Sequence, residues 1–219
     1  MRCRAWLRFE VGPAALLLGM VLGAITIPPA VTTFGREKEV FAREAAVGAH
    51  GAAYFLGKSL ADVPFMVLGA LMFVAPMVAI APYRAPVEAL YVVVLAFICC
   101  VNAVGYCLSL VFADADNATL CGVIVAILLN LFDGFVPKLG DDPIGKIFIT
   151  HWMARGLAAV EMNKGIGLDR KTFNQIVPPV WEDPNWQNDV GVLVLFAVVT
   201  FVLAFAIFVW QNRKFYSRR

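Results

Sequence analysis

The densest charge in this 219-residue sequence is packed into nine residues. From Arg36 to Glu44, "REKEVFARE", six side chains are charged and the signs balance. As a helix, this stretch pairs Arg36 with Glu39 at three residues and Glu39 with Arg43 at four, the second in the favourable acid-first order. Glu37 and Glu44 complete the acidic set, while Phe41, Ala45 and Gly48 share a face, so the segment reads as an amphipathic helix lying along a surface. Exposed pairs of this kind stabilise by only about 0.3–0.5 kcal/mol each, too little to explain such a density of charge through stability. Two readings stand: a solvated elbow between apolar segments, or a docking helix for a soluble partner, with Phe41 as anchor and the charges setting register. Downstream, Asp62 and Pro64 fit the start of the next helix, where an acidic side chain suits the dipole and proline is tolerated.

Other polar residues offer less. His151 with Glu161, or with Asp141 and Asp142, suggests metal or acid–base chemistry, but the spacing is not that of a ligand set and the chain has only two histidines. His50 has no second histidine at helical spacing. Asn130, Phe132 and Asp133 close one apolar run and Asn102 lies within another; polar groups at such depth are costly and face a cavity or a neighbouring helix. Asn130 and Asp133 are therefore candidates for a transport path, although Asp133 is near enough to the end of its run to reach headgroup water. Asn102 reads as an interhelical hydrogen bond. Of the five cysteines, Cys99, Cys100, Cys107 and Cys121 fall in apolar runs and read as small hydrophobes; neither zinc spacing nor a disulfide framework is visible. No metal site is expected. Nor is there any "GxxxxGK[ST]" phosphate loop, so this stretch of chain has no backbone cradle for ATP.

The elements that must position these residues are those of a membrane protein. Hydrophobic residues make up 61% of the chain, charged residues 16%, and the mean hydropathy is +0.77. A soluble domain of this size has no core able to hide that much apolar surface. The apolar residues also come in long blocks, without the short alternating segments of a barrel. The fold class is therefore all-α: a polytopic protein of about five transmembrane helices, spanning approximately 13–33, 63–81, 87–112, 118–137 and 190–210. The formal charge of +2 gives no argument for nucleic acid.

The connections differ in character. Residues 34–62 form the charged loop. "APYRAP" is a tight turn between Pro82 and Pro86, and in "ADADNAT" Asp116 or Asn117 could cap the following helix. Residues 138–189 form a long loop containing the helical-looking "DPIGKIFITHWMARGLAAVEMNKG", then tryptophans suited to a membrane interface. Pro28–Pro29 would break or kink the first span. Lys and Arg in the first loop and at the C-terminus put both on the cytoplasmic side. Arg2, Arg4 and Arg8 on the opposite side conflict with this, as do six cations in the long loop. An upstream span would remove the N-terminal conflict, so the chain reads as the tail of a longer architecture. The sequon Asn117–Thr119 then faces the cytoplasm and is expected to be unmodified.

Three stretches carry a family resemblance. "FGREKEVFARE" followed by "YFLGKSLADVP" resembles the loop after the second transmembrane helix of G-subfamily ABC exporters, the White or pigment-transporter type; Phe34, Glu37, Phe41, Glu44, Tyr54, Lys58, Asp62 and Pro64 fit its pattern. "ATLCGVIVAILLNLFDGFVP" is similar to the family's fifth helix, and "ITHWMARGLAAVEMNKG" to a helix following it. The likeness runs from about Ala14 to Tyr216. It departs from the family in lacking the nucleotide-binding domain, the first helix and the cysteines of the last external loop, and in having Asp133 where a small residue is common.

The resemblance implies a cytoplasmic coupling helix (Arg36, Glu37, Glu39, Phe41, Arg43, Glu44) seated on a nucleotide-binding domain. It further implies a homo- or heterodimer of half-transporters, a substrate path between the family's second and fifth helices, and a long external cap loop. ATP and Mg would be bound by a nucleotide-binding domain outside these residues, with no cofactor held by the chain itself. The expectation is thus the permease portion of an ATP-driven exporter of lipids, sterols or other amphipathic molecules, working among membrane lipids in the plasma membrane or an intracellular membrane. The alternative is a membrane scaffold or transporter fragment uncoupled from ATP. An intramembrane enzyme has no nucleophile–base constellation to support it.

Overall fold

The computed structural model describes residues 2–35, 41, 43, 44, 47, 50–80, 85–112, 114–131, 147–165 and 185–212. Every regular element among them is helical: α1 (Arg2–Gly35), α2 (Gly51–Ile80), α3 (Val87–Val111), α4 (Ala115–Leu131), α5 (Ile149–Gly165) and α6 (Trp186–Gln211). Three apolar stretches, Gly51–Ala79, Val87–Val111 and Trp186–Gln211, are long enough to cross a membrane. The shortest, 25 residues, extends about 37 Å at 1.5 Å per residue, beyond a hydrocarbon core of about 30 Å. Shorter apolar stretches occupy Val21–Gly35 and Asp116–Leu129.

α3 is the axis. It touches all five other helices, and 61% of its apolar stretch is buried against 17% for α2 and α6. Its thiols bind it to α6: Cys100 Sγ donates to the Leu193 carbonyl at 2.8 Å and Cys107 Sγ to the Thr200 carbonyl at 3.4 Å. Both donors and both acceptors are seven residues apart, so the two helices run parallel and in step over two turns. The cysteines are thus more than small hydrophobes. Asn102, by contrast, turns back on its own helix and donates to the Ile98 carbonyl at 3.0 Å, where a bond between helices was expected.

α1 is gripped through glycines. A Cβ on Gly105 of α3 would lie 2.5 Å from the Ala30 Cβ, and one on Gly122 of α4 would lie 2.4 Å from Ile27 Cγ2. Missing side chains at these crossings let the backbones approach, the usual device where lipid supplies no hydrophobic drive between helices. The proline pair sits between these two contacts, yet α1 remains helical throughout Arg2–Gly35. Pro28 and Pro29 remove only two N–H donors, and helices packed on both sides of them hold the turn in place. Thr32 and Thr33 donate their hydroxyls back to the Pro29 carbonyl at 2.9 and 3.1 Å.

Several boundaries differ from the sequence reading. α2 begins at Gly51, so the interval between α1 and α2 is 36–50 rather than 34–62, and Asp62 and Pro64 lie three turns inside the helix instead of at its start. Asp114, not Asp116 or Asn117, caps α4: its Oδ1 accepts from the Asp116 amide at 3.4 Å and its Oδ2 from the Asn117 side chain at 3.2 Å. Within 138–189, the helical-looking piece forms α5. It packs on α6, α1 and α3, with Met153, Ala154 and Leu157 to Val160 in the core.

The end of the bundle opposite the charged segment is held by an ion pair. Arg155 of α5 donates from Nε and Nη2 to Oδ1 of Asp189 at 2.9 and 2.8 Å, and its guanidinium lies 4.8 Å from the Trp152 ring centre. Asp189 is in the first turn of α6, where a carboxylate also suits the helix dipole.

The glycine crossings give a direct expectation. Gly105→Ala forces two methyl groups together and should cost about 1–3 kcal/mol of overpacking. Gly57→Ala, on an open face of α2, should cost nothing measurable. Thermal unfolding of the detergent-solubilised variants distinguishes the two.

Candidate functional site

The lower end of the bundle, the end bearing the charged segment, is built from rings. Phe34 at the end of α1 stacks on Phe55 at the start of α2, centroids 4.9 Å apart and planes 9° from parallel. Tyr106 of α3 meets Phe34 edge-on at 5.3 Å. Phe201, Phe205 and Phe208 of α6 close around Phe55 at 5.3, 5.4 and 5.5 Å. Stacked and edge-to-face geometries match the ring quadrupoles, and each pair adds about 0.5–1.5 kcal/mol beyond contact area. Four helix ends are therefore locked at one level. Gln211 Nε2 adds a bond to the Leu110 carbonyl at 2.7 Å.

Phe41 joins this layer. It is only 7% exposed and lies 4.9 Å from the Tyr54 ring and 5.1 Å from Phe208. The sequence reading had Phe41 presented to a partner; the structure turns it inward, because the layer offers rings to pack against. Arg43 and Glu44 are exposed, and Val47 is 92% exposed. Residues 41, 43, 44 and 47 are all helical in conformation. At 100° per residue, Arg43 and Val47 lie on the side away from Phe41, about 160° and about 120° round from it, while Glu44 lies at the edge, about 60° from it. Val47 was missed in the sequence, though its spacing of four from Arg43 and three from Glu44 was there to be read. A large apolar side chain bare among charges is the composition of a contact patch.

Just above the rings, Asp62 of α2 accepts from Tyr106 Oη of α3 at 2.7 Å and from Thr33 Oγ1 of α1 at 3.3 Å, both on Oδ2. Lys58, one turn before Asp62, lies 5.9 Å from the Tyr54 ring centre. An open groove between α1 and α4 is lined by Pro28, Pro29, Thr32, Asp116, Thr119 and Leu120.

The remaining candidates do not assemble into a site. Arg36, Glu37, Glu39, Phe132 and Asp133 lie outside the described residues, as does the side chain of Asn130. His151 is fully buried in α5, its ring edge-on to Trp152 at 5.6 Å. Among the described residues no three His, Cys, Asp or Glu side chains gather as metal ligands would.

The model of the ABC-2 type transporter family matches residues 6–161, and the chain belongs to that family. It is a multi-pass integral membrane protein. The ABC-type transporter claG of Penicillium crustosum is 31% identical to it over 169 residues, which is 77% of this chain and 22% of that protein. The chain thus spans about a fifth of the length of this relative.

Stability and surface should separate cleanly here. Phe41→Ala removes two ring pairs and should cost about 1–3 kcal/mol, whereas Glu44→Ala, exposed and unpacked, should change stability by no more than about 0.5 kcal/mol. Thermal melts in nanodiscs compare them.

Proposed function

We propose that this chain is the permease portion of an ATP-driven exporter, and that Arg43, Glu44 and Val47 are where a nucleotide-binding domain takes hold. The observation that carries the reading is the two-sidedness of the charged segment. Phe41 fastens it to the ring layer joining four helix ends, while its other side is bare. Such an element passes force from a soluble partner into a membrane bundle, because the layer moves as a unit when one member is pushed. The nucleotide-binding domain is supplied by a further part of the polypeptide or by a separate chain, and it holds ATP and Mg. Arg36, Glu37 and Glu39 extend the same contact.

Lys/Arg counting puts this contact in the cytoplasm. Family resemblance supports a dimer, with substrate passing between α1 and α4 toward Asn130, Phe132 and Asp133. Both helices expose apolar side chains, Val21 and Ile25 on α1 and Leu120, Ile124 and Ile127 on α4. Such surfaces suit lipids, sterols and other amphipathic molecules.

The test is substrate flux against ATP hydrolysis in the assembled transporter reconstituted into liposomes. Charge reversal at Arg43 and Glu44 together should lower ATP-dependent flux of amphipathic substrates at least about tenfold, the loss of 1–2 kcal/mol of coupling, with unchanged protein in the membrane. Flux and substrate-stimulated ATPase at the unmodified level would sink the coupling role.

A further inference from the structure

A carboxylate within an apolar helix is costly unless its charge is met by donors. Asp62 is met on one oxygen by two helices, by the Tyr106 hydroxyl of α3 at 2.7 Å and by the Thr33 hydroxyl of α1 at 3.3 Å, whose single proton is shared with the Pro29 carbonyl at 3.1 Å. The first has the usual length of an O–H···O bond. The other described contacts between α1 and α2 near this level are apolar, in the core that holds Ala30, Phe34, Phe55 and Met66. The two helices scarcely approach backbone to backbone, α2 is mostly exposed along its apolar stretch, and a Cβ at Gly57 or Gly69 would meet no neighbour.

We propose that Asp62 is a positioning residue that pins α2 to the α1–α3 pair, so that the two helices leaving the charged segment move as one body. Thr33 and Phe34 are adjacent on α1, but their partners Asp62 and Phe55 are seven residues apart on α2, about 10 Å along the helix. A helix held at two points two turns apart cannot pivot about either one. Remove the carboxylate, and α2 keeps the Phe34–Phe55 stack and its apolar packing but loses the second directional contact. Tyr91 Oη still donates to the Val67 carbonyl at 3.2 Å, a bond further up the helix that reaches α3 and not α1. A push on Arg43 and Glu44 would then swing α2 without carrying α1. This consequence for transport rests on the permease reading; the pinning does not.

The experiment therefore has two arms. In the full chain in nanodiscs, with its cysteines changed to serine, nitroxide labels at Ile25 and Leu71 report the α1–α2 distance at matched depth. Asp62 and Asp62→Asn, which keeps an acceptor oxygen, should give one narrow distribution. Asp62→Ala and Tyr106→Phe should give distributions at least about twice as wide, as expected when a second state becomes populated. If Asp62→Ala fails to accumulate, Tyr106→Phe, which loses a single oxygen, carries the same expectation. Equal widths in Tyr106→Phe and the parent overturn the proposal. In the assembled transporter, substrate moved per ATP hydrolysed should fall about fivefold to tenfold in Asp62→Ala or Tyr106→Phe and recover in Asp62→Asn. An unchanged ratio overturns the role in coupling. A parent complex that moves no substrate counts against the permease reading, and the distance arm still decides the pinning.

Discussion

Everything at the lower end depends on the ring layer around the Phe34–Phe55 stack. Lipid tails are as apolar as the helices, so burial by itself gives the helices little reason to prefer one another over lipid. What holds them is shape and a few directional contacts. The layer supplies both, since its rings interlock from α1, α2, α3 and α6 at centroid distances of 4.9 to 5.5 Å. Above it, Gly105 and Gly122 let α3 and α4 close on α1, and at the far end Arg155 and Asp189 tie α5 to α6. The bundle is thus fastened at both ends, with thiol-to-carbonyl bonds between α3 and α6 in the middle.

That arrangement divides the charged segment's residues by task. Phe41 belongs to the membrane bundle and fixes where the segment lies. Arg43 and Val47 face away from it, with the exposed Glu44 at the edge between, and all three are available to a partner. A docking element needs both halves: without the inward anchor a push on the surface would be absorbed by the segment, and without the outward patch nothing would push. The small net stabilisation offered by exposed ion pairs fits this division, because charges that add little to the fold remain available for recognition.

Much of this was legible in the residues. Length, composition and blockwise hydropathy implied an all-helical membrane protein, and "REKEVFARE" drew attention through its charge alone. The direction of Phe41 was not legible, because its partners Tyr54 and Phe208 lie 13 and 167 residues further along the chain. Asp62 misled for a related reason. A carboxylate near an apolar run reads locally as a helix start, and only the tertiary fold brings Tyr106 and Thr33 to it. Pro28–Pro29 do not break α1, since the helices packed on either side of them hold the turn despite two lost donors. That α5 packs against the bundle was not legible from its modest hydropathy; its small residues Ala154, Gly156, Ala158 and Ala159 let it sink between neighbours.

The central claim is that one side of the charged segment faces its own bundle and the other faces a nucleotide-binding domain. Site-specific photocrosslinking in native membranes tests it most directly, with a benzophenone side chain at position 47 or at position 41. The account predicts that the probe at Val47 captures a nucleotide-binding domain, whether in the same polypeptide or a partner, and that the probe at Phe41 captures only α2 or α6 of its own chain. Capture of lipid alone from Val47, or of the same soluble partner from both positions, would contradict it.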